Sequence, residues 1–242
     1  MTTTELQNAT TISAKRMEGR RAFVTGGGSG IGKATAIRLA AEGASVAIAD
    51  IRGDSAAAVA ADIEAGGGTA IGVETDIASE ASIEAGVSEA VRAFGGLDAV
   101  FANAGTAGSG WLHETTLDDW ETVIRVNLTG TFLTAKHTIP HLLTNGGGAI
   151  VTTGSISSQI IALGGAAASY AASKGGVLQL TKAIAVDYGP QGIRANCLCP
   201  GVVRTRLAHH VRADTENHTT PVPEGGQLPR QMIQTPIPRV GT

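Results

Sequence analysis

Short apolar runs rich in β-branched residues alternate with alanine-rich stretches of helical character, and that alternation restricts this chain more than any other feature. The runs are Ala22–Thr25, Ser45–Asp50, Ala70–Val73, Leu97–Ala102, Ala149–Thr153 and Arg194–Leu198. Between them lie Gly30–Glu42, Ser55–Ala65, Ala81–Phe94, Leu117–Leu143 and Ala166–Tyr188. Strands that are apolar at nearly every position are buried on both faces, and helices between consecutive strands supply the cover. Crossovers of this kind are right-handed. The expected fold class is therefore α/β: a doubly wound parallel sheet, Rossmann-like, with six strands in a single domain over residues 19–242. A chain of 242 residues removes roughly 70–75% of its unfolded surface from water, so it needs no disulfide or metal to fold.

Composition narrows the function classes. Eighteen Lys and Arg against 21 Asp and Glu give a net charge of -3, with no long run of either sign, which argues against a general nucleic-acid binder and a basic membrane-surface protein. No apolar run approaches the ~20 residues of a membrane span. Residues 1–18 are Thr- and Ser-rich, lack the apolar core of a signal peptide and read as a flexible leader, so a soluble, cytoplasmic protein is expected. Cys197 and Cys199 lie two apart on an expected strand and read as small buried hydrophobes, badly placed to pair in extended geometry. No metal site is expected. His137 and His141 are four apart but lack the Glu of an H-E-x-x-H pattern, and His209, His210 and His218 fall in a polar stretch. Beyond Gly201 the residues Pro221, Pro223, Pro229, Pro236 and Pro238 break regular structure. Residues 204–239 accordingly read as a substrate lid, with one short helix near Val203–Val211.

The first strand runs into Thr25-Gly26-Gly27-Gly28-Ser29-Gly30-Ile31-Gly32. Gly26 permits a tight turn, Gly30 lets backbone approach a pyrophosphate, and Gly32 lets the following helix pack close on the strand. The helix start then offers N–H groups and a positive dipole end to phosphates. Eighteen residues beyond Gly32, the second strand ends at Asp50. A carboxylate there accepts the ribose hydroxyls of NAD and repels a 2′-phosphate. Ser29 brings no positive charge for that phosphate, so NAD is expected over NADP, with Arg52 the only nearby group that softens the repulsion.

With these features in order, the sequence resembles the short-chain dehydrogenase/reductase family. The resemblance rests on Thr25-x-x-x-Gly30-Ile31-Gly32, Asp76 after the third strand, Asn103-Ala104-Gly105 after the fourth, Asn127 in the next helix, Ser155 after the fifth strand, Tyr170-x-x-x-Lys174, and Pro200-Gly201 after the sixth. Tyr170 and Lys174 are four apart, hence on one helical face. A phenol with pKa ~10 is a poor base at neutral pH, and a neighbouring ammonium and a nicotinamide cation would stabilise its phenolate. The resemblance implies a Tyr170 that exchanges the substrate hydroxyl proton, a Ser155 that hydrogen-bonds the substrate oxygen, a Lys174 that also holds the nicotinamide ribose, and an Asn127 that anchors a proton-relay water. It further implies that Asp76 and Ile77 flank the adenine and that Asn103, Ala104 and Gly105 support the adenosine side. Pro200, Gly201 and Val203 lead to Thr205, which would hold the nicotinamide carboxamide.

The serine stays open at this point. Counting back thirteen residues from the tyrosine, the family's usual spacing, selects Ser157; reading outward from the strand end selects Ser155, which is preferred; Ser158 is a further candidate. Trp111 borders the expected cleft, while Trp120 reads as packing. In most members a further helix and a seventh strand follow the stretch resembling Pro238–Thr242, so six strands are expected here, with the usual seventh missing. The resemblance implies a homodimer or homotetramer, and the short C-terminus counts against it. The implied activity is interconversion of a secondary alcohol and a ketone on a small-molecule substrate with NAD. Two alternatives are an NADPH-dependent 3-oxoacyl-carrier reductase and an inactive dinucleotide-binding protein.

Overall fold

The computed structural model describes residues 15–108, 110–160, 168–203, 205 and 207. Six strands, β1 (Arg21–Thr25), β2 (Ser45–Asp50), β3 (Thr69–Glu74), β4 (Ala99–Ala102), β5 (Gly148–Thr153) and β6 (Ile193–Leu198), form one sheet in the order β3-β2-β1-β4-β5-β6. Every neighbouring pair is parallel. The helices are α1 (Gly30–Ala41), α2 (Gly53–Ala65), α3 (Glu80–Phe94), α4 (Leu117–Ile124), α5 (Gly130–Thr144) and α6 (Ala168–Tyr188). This is the doubly wound, Rossmann-like sheet that the alternation of runs predicts.

Side-chain alternation divides the core in two. Ala22 and Val24 of β1 and Val46 and Ile48 of β2 pack with Ala36 of α1 and with Ala56, Val59 and Ile63 of α2. Phe23, Ala47 and Ala49 point the other way, onto Ile83 and Val87 of α3, Leu133 and Leu142 of α5, and Ile184 of α6. β1 and β2 are thus buried on both faces, which is why their sequences are apolar at almost every position, whereas the edge strand β6 is exposed at every second residue. β1 sits between β2 and β4, so the chain reverses its direction of travel across the sheet there. In open α/β sheets the crevice at such a switch point, outside the carboxyl ends of the strands, is where ligands bind.

Three local findings differ from the sequence expectation. The helix expected over 117–143 is interrupted between α4 and α5 by a π-helical turn, Arg125–Thr129, which carries Asn127. The end of the expected leader is tied down. Met17 N–H donates to the Glu42 carbonyl at 2.9 Å, and the Glu42 carboxylate, 3% exposed, accepts from Arg16 Nη2 and Arg38 Nη2 at 2.6 Å each. Leu97, expected to open the fourth strand, precedes β4 but is fully buried. Residues 1–14, the start of the expected helix at Ala166 and almost all of the expected lid, with His209, His210 and His218, lie outside the described residues. Among the described residues no helix is long and apolar enough to cross a membrane.

Candidate active site

The carboxyl ends of the strands deliver the site. The turn after β1 is built as the glycine spacing predicts. Gly26 adopts φ +63°, and a Cβ there would lie 2.8 Å from the Ala104 Cα. A Cβ on Gly32 would fall 2.1 Å from the Gly26 carbonyl oxygen, so α1 can start this close to β1 only with glycine at that position. Ser29 precedes α1 in extended conformation without capping it, and the first turn holds no acidic side chain. The uncapped N–H groups and positive helix end therefore face the turn, which fits a pyrophosphate.

Asp50 lies beside this turn, its carboxylate accepting Gly28 N–H at 2.9 Å and Arg52 N–H at 3.1 Å. Arg52 Nε is 3.7 Å from the same carboxylate. At the next strand end the Asp76 carboxylate accepts Ala78 N–H at 2.8 Å, and Ile77 is buried beneath it against Gly130. Asn103 knits three strand ends together. Its N–H and that of Ala104 donate to Thr25 Oγ1 at 3.0 and 3.2 Å, its Nδ2 to the Thr25 carbonyl at 3.2 Å, and its Oδ1 accepts Thr153 Oγ1–H at 3.2 Å. Thr205 lies over the turn, its Cγ2 3.3 Å from where a Gly30 Cβ would be. A cavity of about 420 Å³ opens along the flank of α1, lined by Gly30, Ile31, Thr35, Val203 and Thr205. It touches the turn and does not reach Tyr170.

The serine, tyrosine and lysine converge at the ends of β5 and α6. Ser155, 7% exposed, caps the short 3₁₀ turn Ile156–Ser158 and accepts Ser157 N–H at 3.1 Å. Its hydroxyl lies near the Tyr170 phenol and acts to lower the phenol's pKa. Ser158 is spent otherwise: its Oγ accepts Ser155 N–H at 3.1 Å and donates to the Lys174 carbonyl at 2.8 Å. Of the three serine candidates, Ser155 is the one whose hydroxyl the structure brings to the tyrosine.

Lys174 is 4% exposed, and its Nζ donates to the Thr153 carbonyl at 2.7 Å while standing 5.7 Å from the centre of the Tyr170 ring. Burial lowers the Lys174 ammonium from 10.5 to about 8, against the pull of the Cys197 and Cys199 sulfurs. Burial likewise raises the Tyr170 phenol, and the nearby Ser155 hydroxyl offsets this only in part. The expected easing of the phenol downward draws on the ammonium together with a bound nicotinamide cation. In the protein by itself the ammonium is held by a backbone carbonyl, and desolvation of the phenol dominates.

Asn127 is fully buried, and its amide is spoken for: Oδ1 accepts Thr106 N–H at 2.7 Å, and Nδ2 donates to the Thr106 carbonyl and to Ser173 Oγ, both at 3.0 Å. Ser173 Oγ donates in turn to the Tyr170 carbonyl at 2.7 Å. Ser173 is a positioning residue that sequence reasoning missed; the available signal was a lone hydroxyl three residues after Tyr170, on the helical face turned to Asn127. The side chains of Asn127 and Lys174 close on Gly105, where a Cβ would lie 3.1 Å from Asn127 Oδ1 and 3.4 Å from Lys174 Nζ.

His137 Nε2 meets Glu80 Oε1 of α3 at 3.1 Å. Trp111 and Trp120 are half-buried, and the Trp111 carbonyl caps the turn at Glu114 and Thr115. The thiols of Cys197 and Cys199 are half-buried rather than buried. Burial is the main cause of a raised Cys199 thiol pKa.

Comparison with known proteins agrees with this geometry. The family described as short chain dehydrogenase matches residues 20–216. The chain is 36% identical over 213 residues to 2,5-dichloro-2,5-cyclohexadiene-1,4-diol dehydrogenase LinX of Sphingobium indicum, covering 88% of this chain and 84% of that one. It is 43% identical over 197 residues to cis-4-hydroxycyclohexanecarboxylate dehydrogenase of Sinomonas cyclohexanicum, covering 81% and 78%. Among solved structures, a short-chain type dehydrogenase/reductase from Mycobacterium marinum superimposes with a TM-score of 0.79 at 34% identity, covering 82% of this chain and 79% of that one.

Proposed function

The chain belongs to the short-chain dehydrogenase family, an oxidoreductase family that uses nicotinamide cofactors, and from that premise we propose that it interconverts a secondary alcohol and a ketone with NAD(H), Tyr170 being its general acid and base. The observation that carries the reading is the convergence of the Ser155 hydroxyl, the Tyr170 phenol and the Lys174 ammonium, with Lys174 Nζ against Gly105 and the neighbouring Ala104 against Gly26 of the glycine turn. When bound, the nicotinamide supplies or removes the hydride at the carbinol carbon.

The chain's own residues do the rest. Gly26, Ser29, Gly30, Ile31 and Gly32 receive the pyrophosphate at the start of α1, and Asp50 receives the adenosine ribose. Asp76 and Ile77 border the adenine, with Asn103, Ala104 and Gly105 forming the floor beneath. Pro200, Gly201 and Val203 carry Thr205 toward the nicotinamide amide. Ser155 Oγ donates to the substrate oxygen, orienting it toward Tyr170. In oxidation Tyr170 Oη takes the hydroxyl proton of the substrate, and in reduction it returns it. Lys174 Nζ is a positioning group whose positive charge favours the phenolate, and it turns from the Thr153 carbonyl to a ribose hydroxyl. The Asn127 amide is saturated by Thr106 and Ser173. Its contribution to a proton path therefore falls on its main-chain carbonyl, where Thr131 Oγ1 occupies one lone pair.

The carboxylate of Asp50 favours NAD and counts against the NADPH-dependent carrier reductase. The two relatives named above act on ring alcohols, so alicyclic secondary alcohols are the substrate class to screen first. The test is an alcohol screen with NAD at alkaline pH, run on the wild-type chain and on Tyr170→Phe. Loss of the proton acceptor is expected to lower turnover by at least 10²-fold. Equal rates in the two proteins, on a substrate that the wild type oxidises, would refute the assignment.

A further inference from the structure

The mechanism makes no use of the two thiols, yet they meet next to it. Cys197 and Cys199 continue the row of Ile193 and Ala195 along β6, on the face that packs against α6. Their sulfurs are 3.9 Å apart. They meet in a notch left by Gly154, where a Cβ would lie 2.7 Å from one sulfur and 3.1 Å from the other. Ser155 follows directly; its N–H is held by Ser158 Oγ at 3.1 Å, and that Oγ stands 3.0 Å from the same Cβ position. Both residues are half-buried, so small ions have access to them.

We propose that Cys197 and Cys199 form a two-thiolate site for a thiophilic d¹⁰ cation of the Zn²⁺ or Cd²⁺ type, and that its occupation slows the dehydrogenase by acting on the Ser155 loop. The distance selects the ligand. Sulfurs bound at about 2.3 Å to a tetrahedral cation stand about 3.8 Å apart, close to the 3.9 Å present here. A disulfide needs about 2.05 Å, which means pulling the strand end out of its extended course. Among the described residues no group of three or more His, Cys, Asp or Glu could hold a metal. With two protein ligands among the described residues, the site suits an exchangeable brake and not a structural metal. Capture converts two thiols and a divalent cation into a bis-thiolate complex and two free protons, so binding strengthens as pH rises. A hydrated cation on the two sulfurs crowds Gly154 and the Ser158 hydroxyl that holds Ser155 N–H. The strain therefore reaches the residue that stands beside Tyr170.

The slowing of turnover rests on the proposed function; the capture does not. The full-length reduced chain is titrated with cadmium chloride at pH 8 while thiolate-to-cadmium absorption is followed in the ultraviolet. The sequence holds two cysteines, so any such band reports on this pair. One cadmium per chain is expected, with affinity at least tenfold weaker in Cys197→Ser and in Cys199→Ser. In parallel, oxidation of the best alcohol by the wild type is expected to fall several-fold at saturation and to recover with chelator. The double serine variant keeps its basal rate and ignores cadmium. Absence of the band, or equal affinity in either single variant, overturns the site, whatever the activity. A band without inhibition overturns the brake. A chain that binds cadmium at both thiols but oxidises no alcohol keeps the site and sinks the proposed function instead.

Discussion

Replacing Lys174 by Met separates what this residue does for function from what it costs the fold. The side chain is 4% exposed, and burial brings its ammonium from 10.5 to about 8. The folded chain therefore holds this proton less tightly than the unfolded chain does. Between about pH 8 and 10.5 the unfolded state binds more protons, so stability must climb with pH across that window. Below it the folded state carries the whole penalty, and above it none. At about 1.4 kcal/mol per pH unit the penalty is about 3 kcal/mol. Methionine has similar length and no charge, but it abandons the Thr153 carbonyl that Nζ now satisfies at 2.7 Å, a loss of about 1–2 kcal/mol. Lys174→Met is thus expected to be more stable than wild type at pH 7 by about 1–2 kcal/mol, the balance of those two effects. By pH 10 most of the penalty is gone and the variant becomes the less stable of the two. Denaturant unfolding of both proteins from pH 7 to 10 measures this, because all other titrations cancel in the difference. Parallel stability curves would refute the reasoning, since they would mean that the ammonium is as well solvated folded as unfolded. A variant that gains stability while losing turnover is the signature of a residue kept for function.

Two further predictions concern the rim of the site and the scaffold. Asp50→Ala removes the carboxylate that accepts Gly28 N–H and leaves Arg52 without its partner; NAD affinity is expected to fall at least tenfold and the NADPH-to-NAD preference to rise, measured by cofactor fluorescence titration, and an unchanged ratio would remove Asp50 from cofactor selection. Bonds from Arg16 hold the Glu42 carboxyl at about 2, below its ordinary 4.5, so its stabilisation is complete above pH 4.5 and fades as pH falls toward 2. Glu42→Gln should flatten acid unfolding in that window, and an acid transition identical to wild type in slope and midpoint would count against the Arg16–Glu42–Arg38 anchor.

Much of this was legible in the sequence because it depends on periodicity and on glycine. The strand runs are apolar on both faces, so Phe23 and Val24 could be placed in opposite layers before their neighbours were known. Gly32 has a carbonyl 2.1 Å from its missing Cβ, which no other residue type tolerates, so the spacing of the turn had to appear in the sequence. Other features left no such mark. The π-helical turn at Asn127 adds a residue between α4 and α5 without breaking the apolar pattern, because only the hydrogen-bond register changes. The choice among Ser155, Ser157 and Ser158 depends on which hydroxyl is consumed internally, and the Ser158 bond to the Lys174 carbonyl joins positions sixteen residues apart. Helical spacing put Tyr170 and Lys174 on one face, but it could not say that the Thr153 carbonyl would claim the ammonium.

That competing carbonyl ties the site to the register of the sheet. Thr152 turns its hydroxyl into the core, where it meets Thr181 Oγ1 of α6 at 2.7 Å, while Thr153 turns its own to Asn103 and offers its carbonyl to Lys174. Thr152 is in register with Ala102 of β4 and Cys197 of β6. A slip of one residue in β5 would exchange the two faces, taking the hydroxyl from Thr181, the support from Asn103 and the anchor from Lys174 together. The same core contacts that fix β5 between β4 and β6 therefore fix the ammonium relative to the phenol. Catalytic precision here is a property of the sheet interior, and this explains how a site made of one short 3₁₀ turn, one π-helical turn and a helix face can hold its groups to within a hydrogen-bond length.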